Sequence, residues 1–390
     1  MNVVVYVSDA LRTDHLGCYG ARYVNTKTID ELAAGGVRYS HAISAAPWTA
    51  PSTTSIVTGM YAHHHGYLHW DATLDPAIET WFRAFAAHGY EVASFVFDTN
   101  YLFKDLPEAN VVGTSESLDG AFEWLRAKRD SPFFLYVHNW ATHMPYDIVH
   151  ADRKDWLAAK QEVIEGIQSD SASALEAMRA GYRTAVERQS EVLVASFLDE
   201  LDALGLREST TFAFLSDHGE SWGERFQAKG DVQGVYHMHG ATLFDEIVEV
   251  PLILSAPGRL DPGVVESQVR SVDLMPTLLE LAGLPARETD GESLLRVDGD
   301  RAAIIAGTDM GALTKLAVRK PPWKLILDVE SGAEEAYNLQ LDPRELDPRT
   351  DAPSELREIV FRELESAERH ELTEEEEATV AKRLSDLGYL

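Results

Sequence analysis

The chain has 390 residues, 45% of them hydrophobic, one cysteine, and 64 acidic side chains against 34 Lys and Arg, for a formal net charge of −30. That length allows one large α/β domain or a large domain with a smaller appendage. The charge disfavours binding to a nucleic-acid backbone, which needs clustered cations, and the lone Cys18 excludes an intramolecular disulfide or a cysteine-based metal site.

No run approaches the ~20 apolar residues of a bilayer span. A basic, apolar, small-residue leader is also missing, so a cytoplasmic location is expected. Acids spread along the chain predict a solvated, strongly charged surface that would suit a salt-rich, halophilic cytoplasm. The block Glu374-Glu375-Glu376-Glu377 reads as a solvated helix face.

In chain order, residues 2–7 form a continuous apolar run of strand length, as in a strand buried on both faces of a parallel sheet. The run ends at Ser8-Asp9, on the edge where open α/β sheets collect ligands. Residues 28–34 read as a helix and 37–43 as a strand or loop feeding Thr49. A helix is predicted over 74–88 and a strand over 92–97, ending at Asp98-Thr99-Asn100. A third strand (132–137) runs into His138-Asn139, and the pattern is helical over about 152–204. Strands at 210–215 and 250–254 follow, the first ending at Ser216-Asp217-His218, then a helix over 273–282 stopped by Gly283. Alternating strands and helices predict an α/β, doubly wound, mainly parallel sheet. Short strand candidates at 302–306, 316–319 and 323–327 predict a small antiparallel sheet, with a charged helical end from Ser354 onward. The expected organisation is a catalytic domain over 1–295 and a small C-terminal subdomain over 296–390 packed on it.

The stretch Trp48-Thr49-Ala50-Pro51 to Gly59 reads as a loop breaking into a helix, with Pro51 in the first helical position and Gly59 just past the end. A helix start offers unpaired N–H groups to an anion, although a capped surface helix is the plainer reading. Asp9, Asp217 and His218 stand at strand ends that a parallel sheet can bring together. With the Thr49 oxygen they would make a mixed oxygen and nitrogen site for one divalent cation such as Mn²⁺, Mg²⁺, Ca²⁺ or Zn²⁺. Such a cation would lower the hydroxyl pKa of Thr49 and so activate it as a nucleophile. The triplet His63-His64-His65 reads as a surface loop, and Arg12 either pairs with Asp14 or reaches substrate.

Much of the chain resembles the sulfatase branch of the alkaline phosphatase superfamily. The opening VVVYVSDALRTDHLGCYG is similar to its first metal-binding strand and loop, and WTAPSTTSIVTG to its nucleophile motif. HNWATHMPY, FLSDHGESWGE, HGATLFDEIVEVPLIL, SVDLMPTLLELAGLP and the terminal AKRLSDLGYL resemble later segments in the family's order. The resemblance implies that Asp9, Asp217 and His218 hold metal and that Thr49 is a nucleophile touching it. It also implies that His143 contacts substrate or protonates the leaving group, and that His239, or nearby His237, binds the transferred group. Asn100 and Asn139 are polar substitutes at substrate-contacting positions.

Four departures alter what the resemblance implies. Thr49 stands where sulfatases carry a Cys or Ser that is oxidised to formylglycine; oxidised threonine would be a ketone. Thr53 replaces the motif's Arg, and Ala10 replaces the second Asp. Asn139 and His143 share the spacing of an Asp and His that build a second metal site in two-metal relatives, but Asn is the weaker ligand, which favours one metal. A threonine nucleophile resembles superfamily members that act on phosphodiesters, nucleotides and phosphonates. The expected function is metal-dependent hydrolysis of phosphate mono- or diesters, small or carried on a glycan or lipid, through a phosphothreonine intermediate. The alternatives are a sulfuric ester hydrolase, a phospho-group transferase and a catalytically silent metal-binding protein.

Overall fold

Val3, Val5 and Val7 face one side of the central strand, Val4 and Tyr6 the other, and all five are fully buried. An unbroken apolar run therefore forms a strand here because both faces are covered. The computed structural model describes residues 1–69, 71–99, 101–144, 146, 171–223, 239–309 and 311–367. Among them, eight strands make the larger sheet: β1 (Asn2–Ser8), β2 (Val37–Ile43), β3 (Glu91–Val96), β4 (Val111–Thr114), β5 (Phe133–Asn139), β6 (Thr210–Leu215), β7 (Glu249–Ser255) and β8 (Gly263–Arg270). Their order is β4-β3-β5-β1-β6-β7-β2-β8, and every pairing is parallel except those of β7 with β6 and with β2. The ends of β1, β5 and β6, three adjacent parallel strands, consequently lie on one edge.

The helices in chain order are α1 (Lys27–Ala34), α2 (Thr49–Thr58), α3 (Ala62–His65), α4 (Trp81–Ala86), α5 (Asp119–Lys128), α6 (Ser171–Arg188), α7 (Ala195–Ala203), α8 (Asp245–Val248), α9 (Leu274–Ala282) and α10 (Ser354–Ser366). They cover both faces of the large sheet. On one face Val4, Tyr6 and Phe214 pack with Ile29 of α1, Tyr182 of α6 and Phe197 of α7. On the other, Val5, Val7 and Leu215 pack with Ile56 of α2, Trp81 of α4 and Leu278 of α9. Each fully buried aliphatic or aromatic side chain contributes roughly 1.5–3 kcal/mol, so this double layer holds the sheet's edge residues in place.

The smaller sheet is antiparallel: β9 (Ala303–Asp309), β10 (Ala312–Lys320), β11 (Trp323–Asp328) and β12 (Glu334–Asn338), in the order β12-β11-β10-β9. Its inner face shares a core with Ala45, Tyr61 and Leu68 of the large unit and with Leu356 and Val360 of α10. Ala306 N donates to Ala45 O at 2.9 Å and Trp48 Nε1 to Thr308 Oγ1 at 2.8 Å, so the small sheet braces the segment entering α2.

The doubly wound sheet and the small antiparallel sheet are as expected, but several elements differ. Residues 74–88 are not one helix. Asp75 closes a turn by accepting from Ala77 N at 2.8 Å, and the helix begins only after Thr80, which accepts from Arg83 N. β4, β8 and β12 were not predicted, and a π-helical stretch, Gln189–Val194, joins α6 to α7. The segment expected at 152–170, Glu374 to Glu377 and the terminal motif lie outside the described residues. Among the described residues, no helix is long and apolar enough to cross a membrane.

One cross-strand pair predicts a pH dependence. His41 Nδ1 lies 2.5 Å from Glu249 Oε1, across the pairing of β2 with β7, and that hydrogen bond raises the imidazole pKa above its ordinary 6.5. A raised folded pKa adds stability that is fully present below the unfolded value and is lost as pH climbs through the folded one. The stability gap between wild type and His41→Gln, measured by urea unfolding, should be largest below about pH 6.5 and should close as the solution is made alkaline.

Candidate active site

The site grows from the turn that follows β1. Asp9 N donates to Asn139 O at 2.9 Å, continuing the pairing with β5 one residue past the strand. Ala10 then takes a left-handed conformation, φ 58°, which costs a non-glycine residue roughly 1–2 kcal/mol. It is held there from both sides: its N–H donates to Asp217 Oδ1 at 3.3 Å and its carbonyl accepts from Tyr182 OH at 2.8 Å. Ser216 Oγ lies 2.6 Å from the carbonyl oxygens of Ser8 and His218 and accepts from Leu11 N at 2.8 Å, locking the ends of β1 and β6 together. From the other side Ser44 Oγ and Ser52 Oγ reach the Asp217 carbonyl at 2.6 and 2.7 Å, so α2 is tied to the end of β6.

These ties bring four predicted residues together. Thr49 Oγ1 lies 3.2 Å from His218 Nε2 and donates to Asp9 Oδ2 at 3.4 Å. His218 Nε2 is 3.4 Å from Asp9 Oδ1 and 3.6 Å from Asp217 Oδ2. With Nδ1 donating to Gly219 O at 2.7 Å, the neutral ring carries its lone pair on Nε2, towards the carboxylates. His138, a residue the sequence reading did not single out, completes the group: its Nε2 is 3.1 Å from Asp9 Oδ2 and 3.6 Å from Asp217 Oδ2.

The electrostatics leave a cation-shaped deficit. Asp9 Oδ1 and Asp217 Oδ2 are buried with no hydrogen-bond partner among the described residues. Burial pushes the Asp9 carboxyl up to about 7 and raises that of Asp217, the latter helped by the neighbouring Asp9 charge. Burial likewise lowers the His138 imidazole to about 4, so it adds no compensating charge at neutral pH. Buried carboxylates persist when paired or when they coordinate metal. One ligand atom from each of Asp9, Asp217 and His218 lies within 4.8 Å of the others. Two orphaned carboxylate oxygens with imidazole nitrogens and a hydroxyl fit a divalent cation that accepts mixed oxygen and nitrogen ligands.

His143 and His239 flank this group. The His239 ring lies 4.5 Å from that of His218 and 5.0 Å from that of His143, which packs on Trp140 at 4.5 Å. His143 Nδ1 is 2.7 Å from Met144 O, and His239 Nδ1 is 2.9 Å from Glu220 Oε1. Glu220 is the second residue the sequence reading missed. It is fully buried, burial pushes its carboxyl up to about 8, and it orients His239. Its place two residues after His218 was the available signal.

Arg12 and Asn139 are held by contacts within the protein. Arg12 forms a two-pronged pair with Asp14 (2.9 and 2.7 Å), donates to Glu220 O at 2.9 Å and stacks on Trp222 at 4.5 Å, so its guanidinium is committed to bracing the loop. The Asn139 amide is also spent on backbone, accepting from Ala141 N at 3.0 Å and donating to Ser115 O at 2.8 Å. Thr53, in the place of the motif's Arg, turns its hydroxyl back to the carbonyls of Thr49 and Ala50. The helix starts two residues earlier than predicted. Thr49 is the first residue of α2 after Trp48, Pro51 is the third, and all ten residues of α2 are buried. Pro51 still sits where a missing N–H breaks no helical bond, and Gly59 ends the helix at φ 70° as expected. Asn100 and His237 lie outside the described residues.

The mainly parallel sheet, the polar cluster at its strand edge and the helix that begins there at Thr49 suit a hydrolase of the alkaline phosphatase superfamily. The chain belongs to the sulfatase family, whose model matches residues 1–284. It is 25% identical to the uncharacterized sulfatase YidJ of Escherichia coli, over 88% of this chain and 82% of that protein. It is 27% identical to a low-salt glycan biosynthesis sulfotransferase, Agl7, of Haloferax volcanii, over 75% and 64% respectively. The crystal structure of the phosphonate monoester hydrolase of Agrobacterium radiobacter shares the fold with a TM-score of 0.69, at 20% identity, covering 96% of this chain and 98% of that one. Arylsulfatases match as well, and sulfatase is the more common name among these relatives.

Proposed function

We propose that this sulfatase-family enzyme cleaves phosphate mono- or diesters by direct attack of the Thr49 hydroxyl. The observation that carries the reading is the residue itself. An unoxidised threonine side chain, which cannot become formylglycine, stands at the first turn of α2 within 3.2–3.4 Å of His218 and Asp9. Asp9, Asp217 and His218, with His138 beside them, would hold a divalent metal. That ion when bound would lower the hydroxyl pKa and neutralise charge on the attacked group. Thr49 attacks phosphorus, forming an O–P bond as the ester O–P bond breaks. His143, whose ring lies 5.0 Å from that of His239, would protonate the departing alkoxide. The N–H groups of the first turn of α2 carry no intrahelical acceptor and would be available to the anion. Water then cleaves the phosphothreonine and restores Thr49.

A second reading is supported by the similarity to a glycan sulfotransferase: the group taken from the donor passes to a glycan hydroxyl instead of water. A panel of p-nitrophenyl phosphate, bis-p-nitrophenyl phosphate and p-nitrophenyl sulfate, with Mn²⁺, Zn²⁺, Mg²⁺ or Ca²⁺ at low and high salt, tests both. The expected result is metal-dependent turnover of phosphate esters well above the sulfate ester. Faster sulfate cleavage overturns the preference for phosphorus. No turnover of any ester, with metal bound, favours a non-catalytic protein. Free anion released in less than stoichiometric yield when a sugar acceptor is added indicates transfer.

A further inference from the structure

The histidine triplet after α2 is not the surface loop its sequence suggests. His63 and His65 are buried within α3, and Glu363 of α10, from the other end of the chain, lies against His63 and His64. We propose that His63, His64 and Glu363 form a second divalent-metal site, of zinc type, that fastens α10 to the turn behind the nucleophile helix.

The donors converge on one oxygen. His63 Nε2 is 3.3 Å and His64 Nε2 3.6 Å from Glu363 Oε2, and the three ligand atoms lie within 4.8 Å of one another. His64 Nδ1 is 2.8 Å from Asp290 Oδ2, which also accepts from Tyr61 N at 2.7 Å. That carboxylate accepts a hydrogen bond from Nδ1–H, so a neutral His64 ring presents its lone pair on Nε2. A carboxylate behind the distal nitrogen is the usual support of a metal-binding histidine.

Hydrogen bonds alone satisfy this arrangement poorly. Glu363 Oε2 can accept from His64 Nε2 only if that ring is an imidazolium. Two imidazoles and one carboxylate suit Zn²⁺ far better than Ca²⁺ or Mg²⁺, which prefer oxygen ligands alone. Access is not an obstacle, since the His64 and Glu363 side chains are 22% and 15% exposed. Ser366 Oγ, 3.0 Å from His64 Nε2, stands at the rim as a further oxygen. From α3 the connection continues to the active-site helix, because His65 Nε2 lies 2.9 Å from Ser55 Oγ of α2.

Equilibrium dialysis against Zn²⁺, with bound metal counted by atomic emission, tests the assignment. Glu363→Gln and His64→Gln should each bind one equivalent fewer than wild type, however many ions the catalytic site takes. Asp217→Asn should retain the equivalent that Glu363→Gln loses. Asp290→Asn should bind it about 10–100-fold more weakly. Circular dichroism of the metal-free variants checks folding. Should either rim variant fail to fold, Co²⁺ added to Asp217→Asn that also carries His138→Gln and His218→Gln must still give the visible bands of an imidazole-ligated ion. Glu363→Gln and His64→Gln binding Zn²⁺ with wild-type stoichiometry and affinity, or that triple variant giving no such bands with Co²⁺, would overturn the site.

Discussion

Thr49→Ala is expected to lower kcat on the best phosphate ester by about 10³-fold or more, with KM changed far less, because the substitution deletes the group proposed to form the covalent bond. Thr49→Ser should retain a measurable fraction, since a primary hydroxyl at the same position keeps contacts to His218 Nε2 and Asp9 Oδ2. The alanine variant should stay folded. Thr49 contributes one hydroxyl to the buried group, and Ser52 rather than Thr49 ties α2 to the Asp217 carbonyl. Rapid acid quench during turnover should recover a phosphorylated peptide containing residue 49 from wild type and none from Thr49→Ala. A loss of less than about tenfold, with no phosphopeptide in wild type, would remove Thr49 from the reaction and leave direct attack by water.

The residues of this group differed in how legible they were, for physical reasons. Asp9, Asp217 and His218 each follow an apolar run, and a parallel sheet sends such run ends to one edge. Local signals were therefore enough to place them. His138 was hidden because it belongs to β5 itself. Its register opposite Val7 brings it beside Asp9, and register is a property of two strands. The same non-locality explains the histidine triplet, buried by contacts with a residue 300 positions away. β4 and β8 were missed because they are sheet edges. β4 is a four-residue strand with alternating exposure, and β8 exposes Gly263 and Val264, so neither carries the continuous apolar run that marked the central strands. Arg12 shows a different limit. Its partner Asp14 is two residues away on a 3-10 turn, Thr13–His15, and the sequence does not show that the two side chains pair.

Asp245→Ala should cost about 3–5 kcal/mol in urea unfolding, because it strips the shared anion from two buried cations. Arg319 donates to Asp245 at 2.8–3.1 Å through Nε and Nη2, and Lys324 Nζ donates to Oδ1 at 2.9 Å. Arg319 is 5% exposed and Lys324 fully buried, and their charges hold the Asp245 carboxyl well below the usual range. With Asp245 gone, Glu345 would remain 3.0 Å from Lys324, and Glu249 only at 3.8 Å from Arg319. A lone salt bridge on the surface would not justify such a figure. Here the cost comes from desolvated charge left unpaired, so replacing Arg319 and Lys324 by Met in the same background should recover part of it. The network also bears on the active site. Asp245 opens α8, and Ile247 O of that helix accepts from Gly219 N at 2.6 Å, beside His218. A side chain at Gly219 would meet Glu246 O at 2.2 Å, so the loop carrying His218 rests directly on α8 backbone. The folded fraction of Asp245→Ala should therefore bind its catalytic metal more weakly than wild type. Wild-type affinity in that fraction would show that the ion network serves the small sheet alone.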